Sequence, residues 1–421
     1  MSAASNKLVN RDEITDATVS IPEKYIRTDE VLDGLVVSGN ETYELPVVDM
    51  GSLLDPESSK LETAKLGSAC RHWGFFQLTN HGIDEEVIQN MKENTAQFFS
   101  LPLDSKKTVA VRGDGFEGYG HHYTRSSATA GDKLDWAESV ILVTQPVQDR
   151  NKPLWPANPP TFRNALETYS LEITNLTRQL LSFMAADLGV EPDALLDAFS
   201  WKRQSVAIHH YPPCRHPEKV MGNTPHTDGL GLTLLLHVDD TPGLQIKRDG
   251  RWFPVRPVPG AFVVNVGDIL HIVTNGTYKS VEHRVLVDAR RARTTAVIFQ
   301  DASVGGMVTP LPELITKDGR WFPVQTLPGA FVVNIADILD VLTNGTYRSV
   351  EHRVIPVANR GRTTVVIFQR RSLEGWWRLC RSCSMEVMRR AIKPSDLRSI
   401  YIRGNFKALA DGIRFIESLK L

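Results

Sequence analysis

Asn275-Gly276-Thr277-Tyr278-Lys279-Ser280-Val281-Glu282-His283-Arg284-Val285 is followed eight residues on by Arg293-Thr294-Thr295. The passage recurs from Asn344, running to His352-Arg353-Val354 and then to Arg362-Thr363-Thr364. Residues 250–300 and 319–369 align without a gap at an offset of 69, and 36 of the 51 positions are identical. An Asn-Gly turn ahead of a short β-type run is a strand signal, and each run closes on a histidine. Upstream stands the His-x-Asp pair His226 and Asp228, 57 residues before His283.

Residues i and i+2 of a strand share a face, so His226 and Asp228 can reach one ion, and Arg293 and Thr295 likewise point together. Singly, each has a bland reading: an isolated His-x-Asp, a satisfied core histidine, an ordinary salt-bridged arginine. As a set they are specific. Two imidazoles and one carboxylate on one side of an ion, with other positions open, are the ligand set of non-haem Fe(II) oxygenases. Zinc more often takes sulfur or three imidazoles. Arg293 offers a permanently charged fork for a carboxylate deep in a barrel, with the Thr295 hydroxyl beside it.

Outward from this passage the texture is short and β-rich from Val206 onward, broken by Gly, Pro and Asp-Gly turns. Gly243–Lys247, Trp252–Val255, Ala261–Val264, Val281–Val287 and Thr294–Phe299 read as strands. The first half is more helical. Helices are expected near Thr28–Leu35, over Ser58–His72, Asp84–Phe99 and residues 160–188, the last stopping at Gly189. Leu45–Asp49 and Gly74–Leu78 read as strands, and Arg403–Leu421 as an amphipathic terminal helix. The fold class implied is α+β, mainly β: a double-stranded β-helix, or jelly roll, buttressed by helices and carrying a duplicated set of barrel strands.

With 421 residues and a formal net charge of −1, nothing suggests electrostatic binding to nucleic acid or an anionic membrane. The polar segment Met1–Arg27 lacks a signal-peptide core, and no apolar run approaches the roughly 20 residues that cross a bilayer. Cys70, Cys214, Cys380 and Cys383 are too few for a disulfide framework, so a cytoplasmic chain is expected, with no obligate protein partner evident.

Further motifs carry a resemblance: Trp73-Gly74-Phe75-Phe76-Gln77 with Asn80-His81-Gly82, Lys133-Leu134-Asp135-Trp136-Ala137-Glu138, and His209-His210-Tyr211-Pro212-Pro213-Cys214. Gly243-Leu244-Gln245-Ile246 and Phe262-Val263-Val264-Asn265-Val266-Gly267-Asp268 complete them. Together they resemble the plant 2-oxoglutarate/Fe(II)-dependent dioxygenases over about residues 40–315, most nearly the norcoclaurine-synthase-like, senescence-related and alkaloid-demethylase branch. The resemblance implies Fe(II) on His226, Asp228 and His283, and the distal carboxylate of 2-oxoglutarate on Arg293, Thr295 and Tyr211. It places Phe299 toward a small organic substrate and His81 in a supporting layer. It further implies O2 as oxidant, ascorbate as a supporting reductant, release of succinate and CO2, and hydroxylation, demethylation or desaturation of a small specialised metabolite. The chain departs from the pattern twice. Arg293-Thr294-Thr295 stands for the usual Arg-x-Ser, and His209-His210-Tyr211 for the usual Asn-Tyr-Tyr.

On this reading residues 1–44 lead in, 45–150 form a support domain, 151–200 a helical buttress and 201–315 the oxygenase jelly roll. Residues 319–369 duplicate 250–300, and 396–421 supply the terminal helix. The second copy offers His352, Arg362 and Thr364 as alternatives to His283, Arg293 and Thr295. Loop closure to the second copy costs only about 0.7 kcal/mol more, so chain entropy does not choose. Copy one is expected in the barrel: Gly243–Lys247 turns through Asp249-Gly250 straight into it, whereas copy two lacks the preceding strand and has Ala336 for Gly267. Residues 370–395 look frame-shifted. Glu374–Cys383 is encodable by codons that, read two bases later, give a near repeat of Gly306–Leu314, so Cys380 and Cys383 are no metal or redox pair. The alternative outcome is an inactive relative, its barrel spoiled by surplus strands and capable of ligand binding at most.

Overall fold

Most helices precede Arg203 in the chain and most strands follow it. The computed structural model describes residues 21–27, 44–113, 115–120, 133–199, 203–301, 310–311, 314 and 333–334. The chain divides into two compact units, Met1–Gly319 and Arg320–Leu421, and every element below belongs to the first. The expected helices at Thr28–Leu35 and Arg403–Leu421, copy two with His352, Arg362 and Thr364, and the segment around Cys380 and Cys383 lie outside the described residues.

The elements run β1 (Val47–Asp49), α1 (Met50–Leu54), α2 (Ser59–His72), β2 (Phe75–Thr79), α3 (Glu85–Ser100), α4 (Leu103–Lys107), β3 (Gly118–Gly120) and β4 (Glu138–Gln145). There follow α5 (Phe162–Leu188), α6 (Pro192–Ala198), β5 (Arg203–Tyr211), β6 (Asn223–His226), β7 (Leu232–His237), β8 (Leu244–Arg248) and β9 (Arg251–Pro254). The last are β10 (Phe262–Val266), α7 (Asp268–Val273), β11 (His283–Val285) and β12 (Arg293–Asp301). Local chemistry sets the helix ends. The Asp84 carboxylate accepts the Glu86 N–H at the start of α3, and Gly189 takes a left-handed φ of 69° to close α5.

Among the described residues an eight-stranded sheet has the order β1-β2-β10-β7-β12-β5-β4-β3, facing a four-stranded sheet β6-β11-β8-β9. This is the expected jelly-roll core, and β1 to β4, from residues 45–150, complete its larger sheet. One face of that sheet, with Ile208, Leu234, Val264 and Ile298, packs with the helices in one core. The other face, with Phe75, Tyr211 and Val263, packs against Leu244, Ile246, Phe253 and Val285 of the smaller sheet in a second core. The site lies on this second side.

Candidate metal centre

The smaller sheet brings the two histidines together. β11 pairs antiparallel with β6 so that His283 lies opposite His226, and their ring centroids are 4.3 Å apart. Asp228 follows β6 directly, with Oδ1 3.6 Å from Nε2 of each imidazole. One ligand atom from each of the three falls within 4.8 Å of the others.

Backbone carbonyls orient both rings. His226 Nδ1 meets the Thr224 carbonyl at 2.7 Å and His283 Nδ1 meets that of Val281 at 3.1 Å. A carbonyl only accepts, so each Nδ1 carries the proton and each Nε2 lone pair is left toward the shared point. Asp228 is divided similarly: Oδ2 accepts from Thr233 Oγ1 at 2.6 Å and Asn265 Nδ2 at 2.7 Å, while Oδ1 faces the imidazoles. Burial opposes the charge on Asp228, but the two histidines and these two donors outweigh it and hold its carboxyl below the usual range. Burial, then the neighbouring His283, keeps His226 below the usual imidazole range. Two imidazole nitrogens turned to a carboxylate oxygen form a donor set that suits a divalent cation.

The larger sheet supplies the far end. Register places Arg293 opposite Tyr211 and Thr295 opposite both His209 and His237. Directly paired positions point to the same side, as do Phe299 and Thr233, which are paired in turn. Arg293 is 1% exposed, and among the described residues none of its side-chain nitrogens has a hydrogen-bond acceptor. Thr295 Oγ1 is equally unsatisfied. Tyr211 and Asp239 temper the burial that lowers the Arg293 pKa, and burial pushes the Tyr211 phenol up to about 12. Arg293 stacks over the Tyr211 ring, 5.4 Å from its centroid. A buried guanidinium with no acceptor in hydrogen-bond geometry is still costly to leave unmet, and a carboxylate is its natural complement.

Among the described residues, His283, Arg293 and Thr295 of copy one stand on the inner faces of the two sheets. Gly267 is tightly enclosed. A Cβ there would lie 2.1 Å from the Leu230 carbonyl oxygen and 2.9 Å from that of Asp228, so the backbone would have to shift to admit an alanine. Gly267 has a φ of −96° and directly precedes α7. His81 packs its ring on Phe262 and stands apart from the metal triad, as its supporting role implied. Tyr119 lies on the helix-covered face, its phenol donating to Glu138. Sequence reasoning missed Thr233 and Asn265 as partners of Asp228, and also His237.

The comparisons agree with this geometry. Residues 45–158 match the model described as non-haem dioxygenase in morphine synthesis N-terminal. Residues 202–302 match the 2OG-Fe(II) oxygenase superfamily, with a second match over 294–376. The chain is 41% identical over 305 residues to 2-oxoglutarate-dependent dioxygenase 11 of Oryza sativa subsp. japonica, covering 72% of this chain and 84% of the relative. The chain belongs to the 2OG-Fe(II) oxygenase superfamily. Codeine O-demethylase of Papaver somniferum is 38% identical, over 71% of this chain and 83% of its own length. The crystal structure of JOX2 with 2OG, Fe and JA superposes with a TM-score of 0.64 at 32% identity, over 72% of this chain and 86% of that one. As a family member the chain is a 2-oxoglutarate-dependent dioxygenase that uses Fe(II), 2-oxoglutarate and O2. No described helix is long and apolar enough to cross a membrane.

Proposed function

We propose that His226, Asp228 and His283 hold Fe(II), that Arg293, Thr295 and Tyr211 receive the distal carboxylate of 2-oxoglutarate, and that Phe299 faces the organic substrate. One observation carries the reading. A His-Asp-His cluster and an unpaired buried Arg293 lie on facing inner surfaces of one two-sheet core. When bound, the iron would activate O2, the oxidant, and the oxidative decarboxylation of 2-oxoglutarate to succinate and CO2 would be coupled to oxidation of a substrate C–H bond. The chain's own residues position and enclose. Arg293 and Thr295 anchor one end of the co-substrate, and Thr233 and Asn265 fix which oxygen of Asp228 faces the metal. Phe299, half-buried beside Thr233, marks the substrate side.

The substrate class is a small specialised plant metabolite, hydroxylated or demethylated. Support comes from relatives named for such work, codeine O-demethylase and the flavonoid 7-O-demethylase of Ocimum basilicum among them. Within this reading residues 45–150 support, 151–200 buttress and 201–315 carry the chemistry. The buried free thiols of Cys70 and Cys214 fit a reducing cytoplasm.

Anaerobic titration of the full-length chain with Fe(II) and 2-oxoglutarate tests the site through the visible metal-to-ligand charge-transfer band. The band is expected in the wild type and in His352→Ala, and lost in His283→Ala. Loss in His352→Ala alone would seat copy two at the metal. Absence of a band from folded wild-type protein would overturn the oxygenase site.

A further inference from the structure

Thr295 lies between two imidazoles. The row Ser139, His209, Thr295 and His237 crosses four neighbouring strands, β4, β5, β12 and β7, with each pair directly opposed and all four side chains on the inner face. His209 is engaged, its Nδ1 2.7 Å from Ser139 Oγ. His237 is not. It is 9% exposed, and neither ring nitrogen has a hydrogen-bond partner among the described residues. Thr295 Oγ1 and the three nitrogens of Arg293 share that condition on the same face. Buried polar groups in folded proteins are overwhelmingly satisfied, so a run of orphans converging on one place points to a guest that satisfies them.

We propose that His237 is a second binding contact for the distal carboxylate of the keto diacid and fixes the chain length that the pocket admits. The inference rests on the assignment of Arg293 and Thr295 as the carboxylate anchor. Burial, the charge of Arg293 and that of Lys92 hold the His237 ring down to about 3, so it is neutral beside the guanidinium. A neutral imidazole keeps one N–H to donate and adds no second buried cation. It lends the carboxylate a hydrogen bond that Arg293, fixed two residues along the neighbouring strand, does not supply from that side. Directly opposed side chains start about 4.5–5.5 Å apart at Cβ, so the ring and the Thr295 methyl together close off the end of the pocket. A six-carbon diacid is then expected to overrun the wall that a five-carbon one meets.

Calorimetric titration of the full-length chain, loaded with Mn(II) so that no turnover occurs, reads binding directly. The probes are 2-oxoglutarate and 2-oxoadipate. His237→Leu is expected to weaken 2-oxoglutarate about tenfold or more, the loss of a hydrogen bond to a charged group. His237→Gln, which keeps an N–H donor, is expected within about threefold of wild type on the same reasoning. His237→Ala is expected to shift the preference toward 2-oxoadipate, a change that mere destabilisation would not produce. Should His237→Leu not fold, His237→Met replaces it with the same outcomes. Wild-type affinities and an unchanged 2-oxoadipate ratio in the Leu and Ala variants would overturn the role of His237 while leaving the anchor intact. Failure of the Mn(II)-loaded wild type to bind 2-oxoglutarate would instead overturn the anchor.

Discussion

A single methyl group separates Gly267 from Ala336, its counterpart in copy two. Gly267 sits where the start of α7 closes on the loop after β6, and its N–H donates to the Gly231 carbonyl at 2.8 Å. The next N–H, from Asp268, binds the Asp228 carbonyl at 2.7 Å. The backbone of a metal-facing residue is thus pinned by the turn that a Cβ would push away. Overpacking of this kind costs about 1–3 kcal/mol. Its functional reading is sharper, because moving the Asp228 backbone misplaces Oδ1. Gly267→Ala is therefore expected to weaken Co(II) binding about 10- to 100-fold, the usual size of a supporting-residue effect. Competition titration measures it, and unchanged affinity would show that the loop absorbs the methyl and that sterics do not choose between the copies.

At the scale of elements, α4 is joined to β4 by one buried ion pair. Lys106 Nζ lies 2.5 Å from Glu138 Oε2, which also accepts the Tyr119 phenol at 2.8 Å, and both charged side chains are almost fully buried. Removing one partner strands the other charge, so Lys106→Met is expected to lower unfolding free energy by about 3–5 kcal/mol in chemical denaturation. A loss below about 1 kcal/mol, the size of an exposed pair, would mean that water reaches the pair. The strand involved was illegible in the sequence for a physical reason. β4 is covered on both faces, so Val140-Ile141-Leu142-Val143 shows no alternation and resembles any short apolar run. By contrast α5 was legible almost to the residue, because an apolar stripe and a left-handed Gly189 are both local signals. The site divides the same way. His226, Asp228, His283, Arg293 and Thr295 announce themselves by chemistry and spacing. Thr233, Asn265 and His237 reach the site only through the registers of β7, β10 and β12, which no local pattern encodes.

For the whole molecule, two sheets close over polar groups that the described chain does not satisfy: Arg293, Thr295 and His237. A buried polar group costs about 1–3 kcal/mol wherever it stays unmet, so a small molecule that meets these groups is favoured. Anything that fills the site binds only the folded state, because residues from Tyr211 to Thr295 converge there only once both sheets form. At a hundred times its dissociation constant a bound small molecule adds about 2.7 kcal/mol to stability. For the unit Met1–Gly319, at about 2.1 cal/mol/K per residue, that corresponds to a rise in Tm of about 4 °C. Scanning calorimetry without oxygen is expected to show one increment with Mn(II) and a second when 2-oxoglutarate follows. Arg293→Ala should keep the first and lose the second, since it leaves the histidines and Asp228 in place but removes the charge that meets the far carboxylate. An undiminished second increment in that variant would mean that 2-oxoglutarate is held at its metal end alone, and the buried guanidinium would need another purpose.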